Sequence, residues 1–193
     1  MIVETDEVKE LVTGVVRRAK SGDQYAFNQL FRRHERPLRS FLNGMTGRCG
    51  STDDLVQETL SRAFQLLPDL RDESRFSTWI FGIARNVVLE SWRRQSSSPK
   101  RIEWDHADVQ TLCDSGLSPE SIVIKGEFYK AVNRGFNLLD EDLRTALALR
   151  VFAEKKYSEI AEITGWSLPK VKVEIYRARL KMREIITPHV GRK

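Results

Sequence analysis

A chain of 193 residues carrying 32 Lys and Arg against 27 Asp and Glu, a net charge of +5 and 40% hydrophobic residues holds one ordinary domain or two small ones. It has little apolar surplus for a large buried sheet. No run reaches the roughly 18 consecutive apolar residues of a bilayer span, and the acidic start MIVETDEVKE lacks the basic segment and apolar core of a secretory leader, so a cytoplasmic chain without membrane insertion is expected. Cys49 and Cys113 lie far apart, without CxxC or nearby His spacing, which argues against a disulfide framework and against a zinc site.

Apolar residues recur at three- and four-residue steps in most windows and nowhere alternate for long, so the chain is expected to be all-α. From Gln24 to Phe41, the apolar positions Phe27, Leu30, Phe31, Leu38 and Phe41 interrupt a basic run of Arg32, Arg33, Arg36 and Arg39, and a tip containing Gly44, Gly47 and Gly50 follows. Ser51 with Asp54 has the spacing of a capping box for a second helix, which turns Val56, Leu60, Ala63 and Leu67 inward and is closed by Pro68. A third helix is predicted from about Phe76 to Arg94, with Phe76, Ile80, Ile83 and Val87 as its core stripe. Its second face, Phe81, Arg85, Val88 and Trp92, interleaves aromatic and basic groups on a side the stripe does not require.

From Gln95 to Glu120 periodicity fails in an acidic, Gly- and Pro-containing stretch, the composition of a tether. Helical spacing resumes from Ile122 to Leu139 and, behind the cap candidate Asp140, runs again through Leu143, Leu147 and Val151. Two small helical domains, 1–95 and 121–193, joined by a flexible acidic linker over 96–120, are therefore expected.

The segment YSEIAEITGWSLPKVKVEIYRARLKMR, Tyr157 to Arg183, has the form of a helix-turn-helix. Ser158 is a cap for a short first helix, Ala161 allows a close helix crossing, and Gly165 suits a left-handed turn. Ser167 caps the second helix and Pro169 falls in its first turn, where a missing N–H does no harm. Leu168, Val171, Ile175, Ala178 and Met182 form its inward stripe, which leaves Lys170, Val173, Tyr176 and Arg177 outward and Lys172 at the margin. From Trp166 to Lys193 eight basic residues stand against two Glu, a surface suited to phosphates.

DDLVQETLSRAF at 53–64, RFSTWIFGIARNVVLESWRR at 75–94, then LRTALALRVF and YSEIAEITG ahead of VKVEIYRAR, resemble the two domains of bacterial sigma factors of the extracytoplasmic-function (ECF) type. The resemblance covers about residues 20–95 and 120–187. It implies a transcription initiation specificity factor with no catalytic residues and no cofactor, which binds core RNA polymerase through the clamp helices of the β′ subunit and the β flap, and binds promoter DNA. Asp54, Leu55, Gln57 and Glu58 match the polymerase-binding surface, with Val56 read as core. In the minus-ten element reader, Asn86 matches the position that holds a flipped base, an amide being both donor and acceptor. Leu70, Arg71, Asp72, Glu73 and Ser74 would wall that pocket, and Arg85, Arg93 and Arg94 would meet phosphates. Phe76 and Trp79 are read mainly as core.

For the minus-thirty-five element the resemblance implies Lys170, Lys172, Val173, Tyr176 and Arg177 in the major groove and Arg150 in support. Pro169, Lys170, Val173 and Glu174 depart from the common family pattern, so promoter preference does not carry over, although an apolar Val still suits a thymine methyl. Asp105, Asp108 and Asp114 would be the acidic residues of a linker threading the polymerase interior. An anti-sigma partner is implied, at which the cytoplasmic protein would be held near the membrane. The alternative, a helix-turn-helix repressor or activator, needs only the C-terminal domain. An enzyme would need a convergence that the scattered His34, His106 and His189 do not offer.

Overall fold

The computed structural model describes residues 6–47, 52–96 and 131–190; Ser51, both cysteines and all but the first residue of the expected tether lie outside them. Among the described residues every regular element is helical: α1 (Asp6–Lys20), α2 (Gln24–Thr46), α3 (Thr52–Leu66), α4 (Phe76–Ser96), a helical stretch over 131–137, α5 (Glu141–Val151), α6 (Tyr157–Thr164) and α7 (Leu168–Val190). Two 3₁₀ turns, Leu67–Asp69 and Glu73–Arg75, connect α3 to α4.

Asp23 starts α2 by accepting hydrogen bonds from the Tyr25 and Ala26 amides, each 3.0 Å. The helix continues past Phe41, so Gly44, expected in an irregular tip, lies inside it and is buried. Gly47 ends it in the left-handed conformation (φ 66°), donating to Asn43 O at 2.8 Å. Pro68 does close α3, but inside a 3₁₀ turn that begins one residue earlier. The N-terminal helix α1, not foreseen from the sequence, seals this unit by setting Val16 and Ala19 in its core and packing half-buried Val12 and Val15 against it.

That core gathers Leu38, Phe41, Val56, Ala63, Phe76, Ile80 and Val87. Phe41 meets Phe81 edge to face at 5.6 Å, and buried His34 meets Phe76 at 5.2 Å while its Nδ1 lies 2.8 Å from Leu30 O. The second face of α4 is therefore not spare: Phe81 and Val88 are buried, and Arg85 and Trp92 are partly covered. Tertiary packing uses both faces of this helix.

The second unit is built around α5, where Leu143, Thr145, Ala146, Leu147, Ala148 and Leu149 are all buried, as in a helix surrounded by protein. Asp140 stands at its N-cap, yet its carboxylate is turned to Lys181 Nζ (2.9 Å) instead of the helix amides. The helix-turn-helix is α6–α7. Lys156, not Ser158, is the residue at the N-cap of α6, because Glu159 reaches back to accept from the Lys156 amide at 2.7 Å. Gly165 turns left-handed at φ 73°, and Ser167 Oγ accepts from the Lys170 amide at 3.3 Å. Of the expected α7 stripe, Val171, Ile175, Ala178 and Met182 are buried, but Leu168 is 42% exposed. As the first helical residue it projects back past the end of the crossing with α6.

The two units pack on each other through a continuous core. The Phe152 ring lies on Gly44, where a Cβ would collide with it, and Asn137 lies on Gly47 in the same way. Arg144 reaches across to Met45 O at 3.1 Å.

Candidate nucleic-acid and polymerase interface

At the start of α3, Asp54, Gln57 and Glu58 are exposed, Leu55 is half-buried and Val56 is core at 2% exposure. Asp53 and Asp54 lie in the first turn, where carboxylates complement the helix dipole. Asp53 pairs with Arg39. Glu58 is partly engaged by Arg62, which lies 2.7 Å from both Glu58 and Glu90. The two carboxylates raise the Arg62 pKa above its ordinary value, Glu90 contributing most.

The loop ahead of α4 is shaped by Asp72, which accepts from Ser74 Oγ (2.6 Å), the Ser74 amide (3.0 Å) and Arg75 Nε (3.1 Å). The Ser74 bonds are the main reason its carboxyl pKa falls below the ordinary value. Arg71, Asp72 and Ser74 are exposed, and Glu73 is half-buried beside Lys20 (3.5 Å). Leu70 departs from the sequence expectation: its side chain is buried at 7% exposure, and its carbonyl accepts from Lys20 Nζ at 2.5 Å. It supports the loop from beneath and offers no pocket wall. On α4, Asn86, Arg93 and Arg94 are exposed. Arg85 is not: burial depresses its pKa, and its Nε has no hydrogen-bond partner among the described residues.

On α7, Lys172, Val173 (44%), Tyr176 (63%) and Arg177 are exposed and form one outward face. Lys170 is half-buried, with Nζ 2.8 Å from Asp142 and 4.3 Å from the Trp166 ring centroid. Arg150 sits apart from that face, donating to Lys155 O at 3.1 Å and lying 5.6 Å from the Tyr157 ring. Between α5 and α7 runs a groove of about 470 Å³ in which Leu143 and Leu180 are rimmed by Asp140, Asp142, Glu174, Arg177, Lys181 and Glu184.

Three residues with evident roles escaped the sequence reading: Arg144, Lys155 and Trp166. Glu154 adopts φ 53°, and the following Lys155 turns inward to 6% exposure, with Nζ 2.5 Å from Ser77 Oγ and 4.8 Å from the Phe81 ring. Trp166, in the turn of the helix-turn-helix, stands over Arg85 at 6.0 Å. No local sequence pattern marks them: the left-handed turn at Glu154 and the basic groups beside Trp166 emerge only in the fold. No group of three or more His, Cys, Asp or Glu able to hold a metal ion occurs among the described residues, and no helix among them is long and apolar enough to cross a membrane.

Residues 30–98 match the family model for Sigma-70 region 2, and residues 130–182 match that for Sigma-70 region 4. The ECF RNA polymerase sigma-E factors of Salmonella typhimurium and Escherichia coli K12 are each 30% identical over 183 residues, spanning 92% of this chain and 95% of theirs. That of Haemophilus influenzae is 30% identical over 179 residues, 90% of this chain and 94% of its own. Among solved structures, CnrH in complex with the cytosolic domain of CnrY shares the fold with a TM-score of 0.69 at 24% identity, covering 92% of this chain and 97% of that one. The sigma factor RpoE bound to the anti-sigma factor NepR from Bartonella quintana gives 0.66 at 24% identity, covering 83% and 96%. With both regions matched in order and relatives aligned almost end to end, the chain belongs to the ECF family of RNA polymerase sigma factors, which direct transcription initiation.

Proposed function

We propose that residues 1–95 bind core polymerase and read and melt the minus-ten element, that 121–193 read the minus-thirty-five element, and that 96–120 tether the two. Exposed Asp54, Gln57 and Glu58 with half-buried Leu55 grip the clamp helices of the β′ subunit, while the second unit engages the β flap. Asn86 holds a base drawn from the stack against the loop residues Arg71, Asp72, Glu73 and Ser74, with Arg93 and Arg94 on phosphates. Lys170, Lys172, Val173, Tyr176 and Arg177 enter the major groove, and Arg150 adds a supporting DNA contact.

The observation that carries this reading is the exposure of Asn86 on α4 and of Lys172, Val173, Tyr176 and Arg177 on α7, two polar and basic faces on separate helices. Sigma factors are initiation factors, and no covalent chemistry is assigned. An anti-sigma protein is the expected inhibitor, holding the cytoplasmic chain inactive or at the membrane; a complex with an anti-sigma factor is described for one protein of the same fold, RpoE of Bartonella quintana. Run-off transcription with purified core polymerase on a pool of promoters tests the assignment. Asn86→Ala should reduce strand opening more than polymerase binding, and an equal loss of both would make Asn86 structural.

A further inference from the structure

The loop residues Arg71, Asp72, Glu73 and Ser74, assigned above as the wall of the base pocket, are held from outside by the last residue of α1. Lys20 Nζ donates to Leu70 O at 2.5 Å and lies 3.5 Å from Glu73 Oε1, with both side chains partly buried. Fifty positions of chain separate Lys20 from Leu70, so the contact belongs to the tertiary fold. Inside the loop, Asp72 binds Ser74 and Arg75 and fixes the curvature of the tip. The buried Leu70 side chain seats the loop at its start. The Lys20 ammonium then fixes the Leu70 carbonyl and, three residues on, the Glu73 carboxylate.

Lys20 is itself firmly placed. Val16 and Ala19 bury the last turn of α1. Across the corner to α2, Arg18 pairs with Asp23 at 2.5 Å, and Ser21 Oγ donates to Arg18 O at 2.8 Å. Asp23 in turn accepts from the Tyr25 and Ala26 amides. A corner fixed at this many points restricts where the ammonium can stand, which is the condition for a residue that positions others. Charge adds a second effect. A carboxylate in a wall facing DNA repels phosphates, and a cation beside it offsets that repulsion. Asp72 has Arg75 at 3.1 Å and Glu73 has Lys20 at 3.5 Å, so each acid of the wall stands next to a cation.

We propose that Lys20 is a positioning residue for base selection at the minus-ten element: from the end of α1 it fixes the Leu70 carbonyl and the Glu73 carboxylate, and so sets the wall against which Asn86 holds the extruded base. The inference rests on the reading of Asn86 and of the 71–74 loop given above. Lys20 acts through the loop and touches no base. It lies ahead of residues 30–98, the segment that matches Sigma-70 region 2, so base preference is tuned from outside that segment. Without the ammonium, the Leu70 carbonyl turns to water and the Glu73 side chain swings free. The wall then loses the definition, within about 0.5 Å, that a selective site needs.

The test uses the full chain assembled with core polymerase and fork-junction DNAs made from a promoter that the run-off assay returns, each unpaired minus-ten position carrying the four bases in turn. A well-held base contact discriminates by roughly tenfold or more. Lys20→Met should lower the ratio of affinities for preferred over disfavoured bases by about three- to tenfold, and leave affinity for core polymerase unchanged. Should Lys20→Met fail to fold, Lys20→Gln, which keeps a donor and loses the charge, gives the same reading with a smaller drop. Lys20→Arg, which keeps the charge and the donors, should keep most of the preference. Val16→Ala loosens α1 in the core without touching Lys20, so it should lower the thermal midpoint yet keep the preference. An unchanged ratio in the Lys20 variants, or an equal loss in Val16→Ala, would overturn the proposal. Asn86→Ala separates it from the reading it rests on. Preference lost in Asn86→Ala but kept in Lys20→Met refutes the role of Lys20 alone, whereas preference kept in both refutes the base pocket itself.

Discussion

Arg144→Met removes the guanidinium that ties three chain segments together. Arg144 donates to Met45 O at 3.1 Å, Asn137 O at 2.7 Å and Leu139 O at 3.1 Å, satisfying carbonyls at the end of α2, at the end of the 131–137 helix and just beyond it, and it stacks 5.3 Å from the Trp92 centroid. Hydrogen bonds from a charged donor contribute about 1.5–3 kcal/mol each, and the ring contact about 1 kcal/mol. Burial of the cation opposes this: it lowers the Arg144 pKa, and Nε is left without a hydrogen-bond partner among the described residues. Methionine regains that desolvation cost and fills part of the volume, while water reaches some of the released carbonyls. The balance is a loss of about 3 kcal/mol, near a hundredfold in the folding equilibrium. Because the bond to Met45 O and the contact with the Trp92 ring cross between the units, the loss should also reduce their cooperativity. Urea unfolding followed by far-ultraviolet circular dichroism and by tryptophan fluorescence should give coincident curves for the parent and separated curves for the variant. Arg144→Lys should recover less than half the loss, since an ammonium cannot span three carbonyls as the planar fork does. A penalty below about 1 kcal/mol with coincident curves would refute the reasoning.

Gly165→Ala meets no neighbouring atom, so its cost is purely conformational; at φ 73° it should lower stability by about 1–2 kcal/mol, with Asn less costly than Ala, read as a shift in thermal midpoint. Arg177→Ala, at an exposed position of the α7 face, should weaken binding of the polymerase complex to all promoter duplexes alike and reduce the salt slope by roughly 0.9; an unchanged slope would remove Arg177 from the phosphate contacts. Acid should destabilise the fold. Asp23, Asp72 and Asp140 are held below the ordinary 3.8 by hydrogen bonds from the Ala26 amide, Ser74 and Lys181, respectively, and Glu90 below 4.5 by Arg62. A depressed carboxyl stabilises the fold fully above its unfolded value and loses that contribution as the pH falls through the folded one, so the urea midpoint should hold near pH 7 and drop below about pH 4. A midpoint unchanged at about pH 3 would contradict these partnerships.

What the sequence by itself determined is what neighbours three or four residues apart decide. The all-α class, the turn at Gly165, the cap at Ser167 and the outward set Lys172, Val173, Tyr176 and Arg177 follow from periodicity and cap chemistry. The helix α1 carries the same spacing in Val12, Val16 and Ala19, yet no helix is predicted there from the sequence. Competing caps were not separable locally: Ser158 has the better intrinsic preference, but the reach of Glu159 to the Lys156 amide moves the helix start two residues earlier.

Tertiary structure decided which of two plausible faces of α4 stays open, because its answer depends on residues far along the chain. Lys155 meets Ser77 across 78 positions, and Arg144 meets Met45 across 99. A periodic pattern records that Phe81, Arg85 and Trp92 share a side; it carries no information about a second helical unit laid over them. The cover on Arg85, the burial of Leu70 and the seating of Phe152 on Gly44 come from three-dimensional complementarity between distant segments, where a missing Cβ or a single strained turn sets the fit.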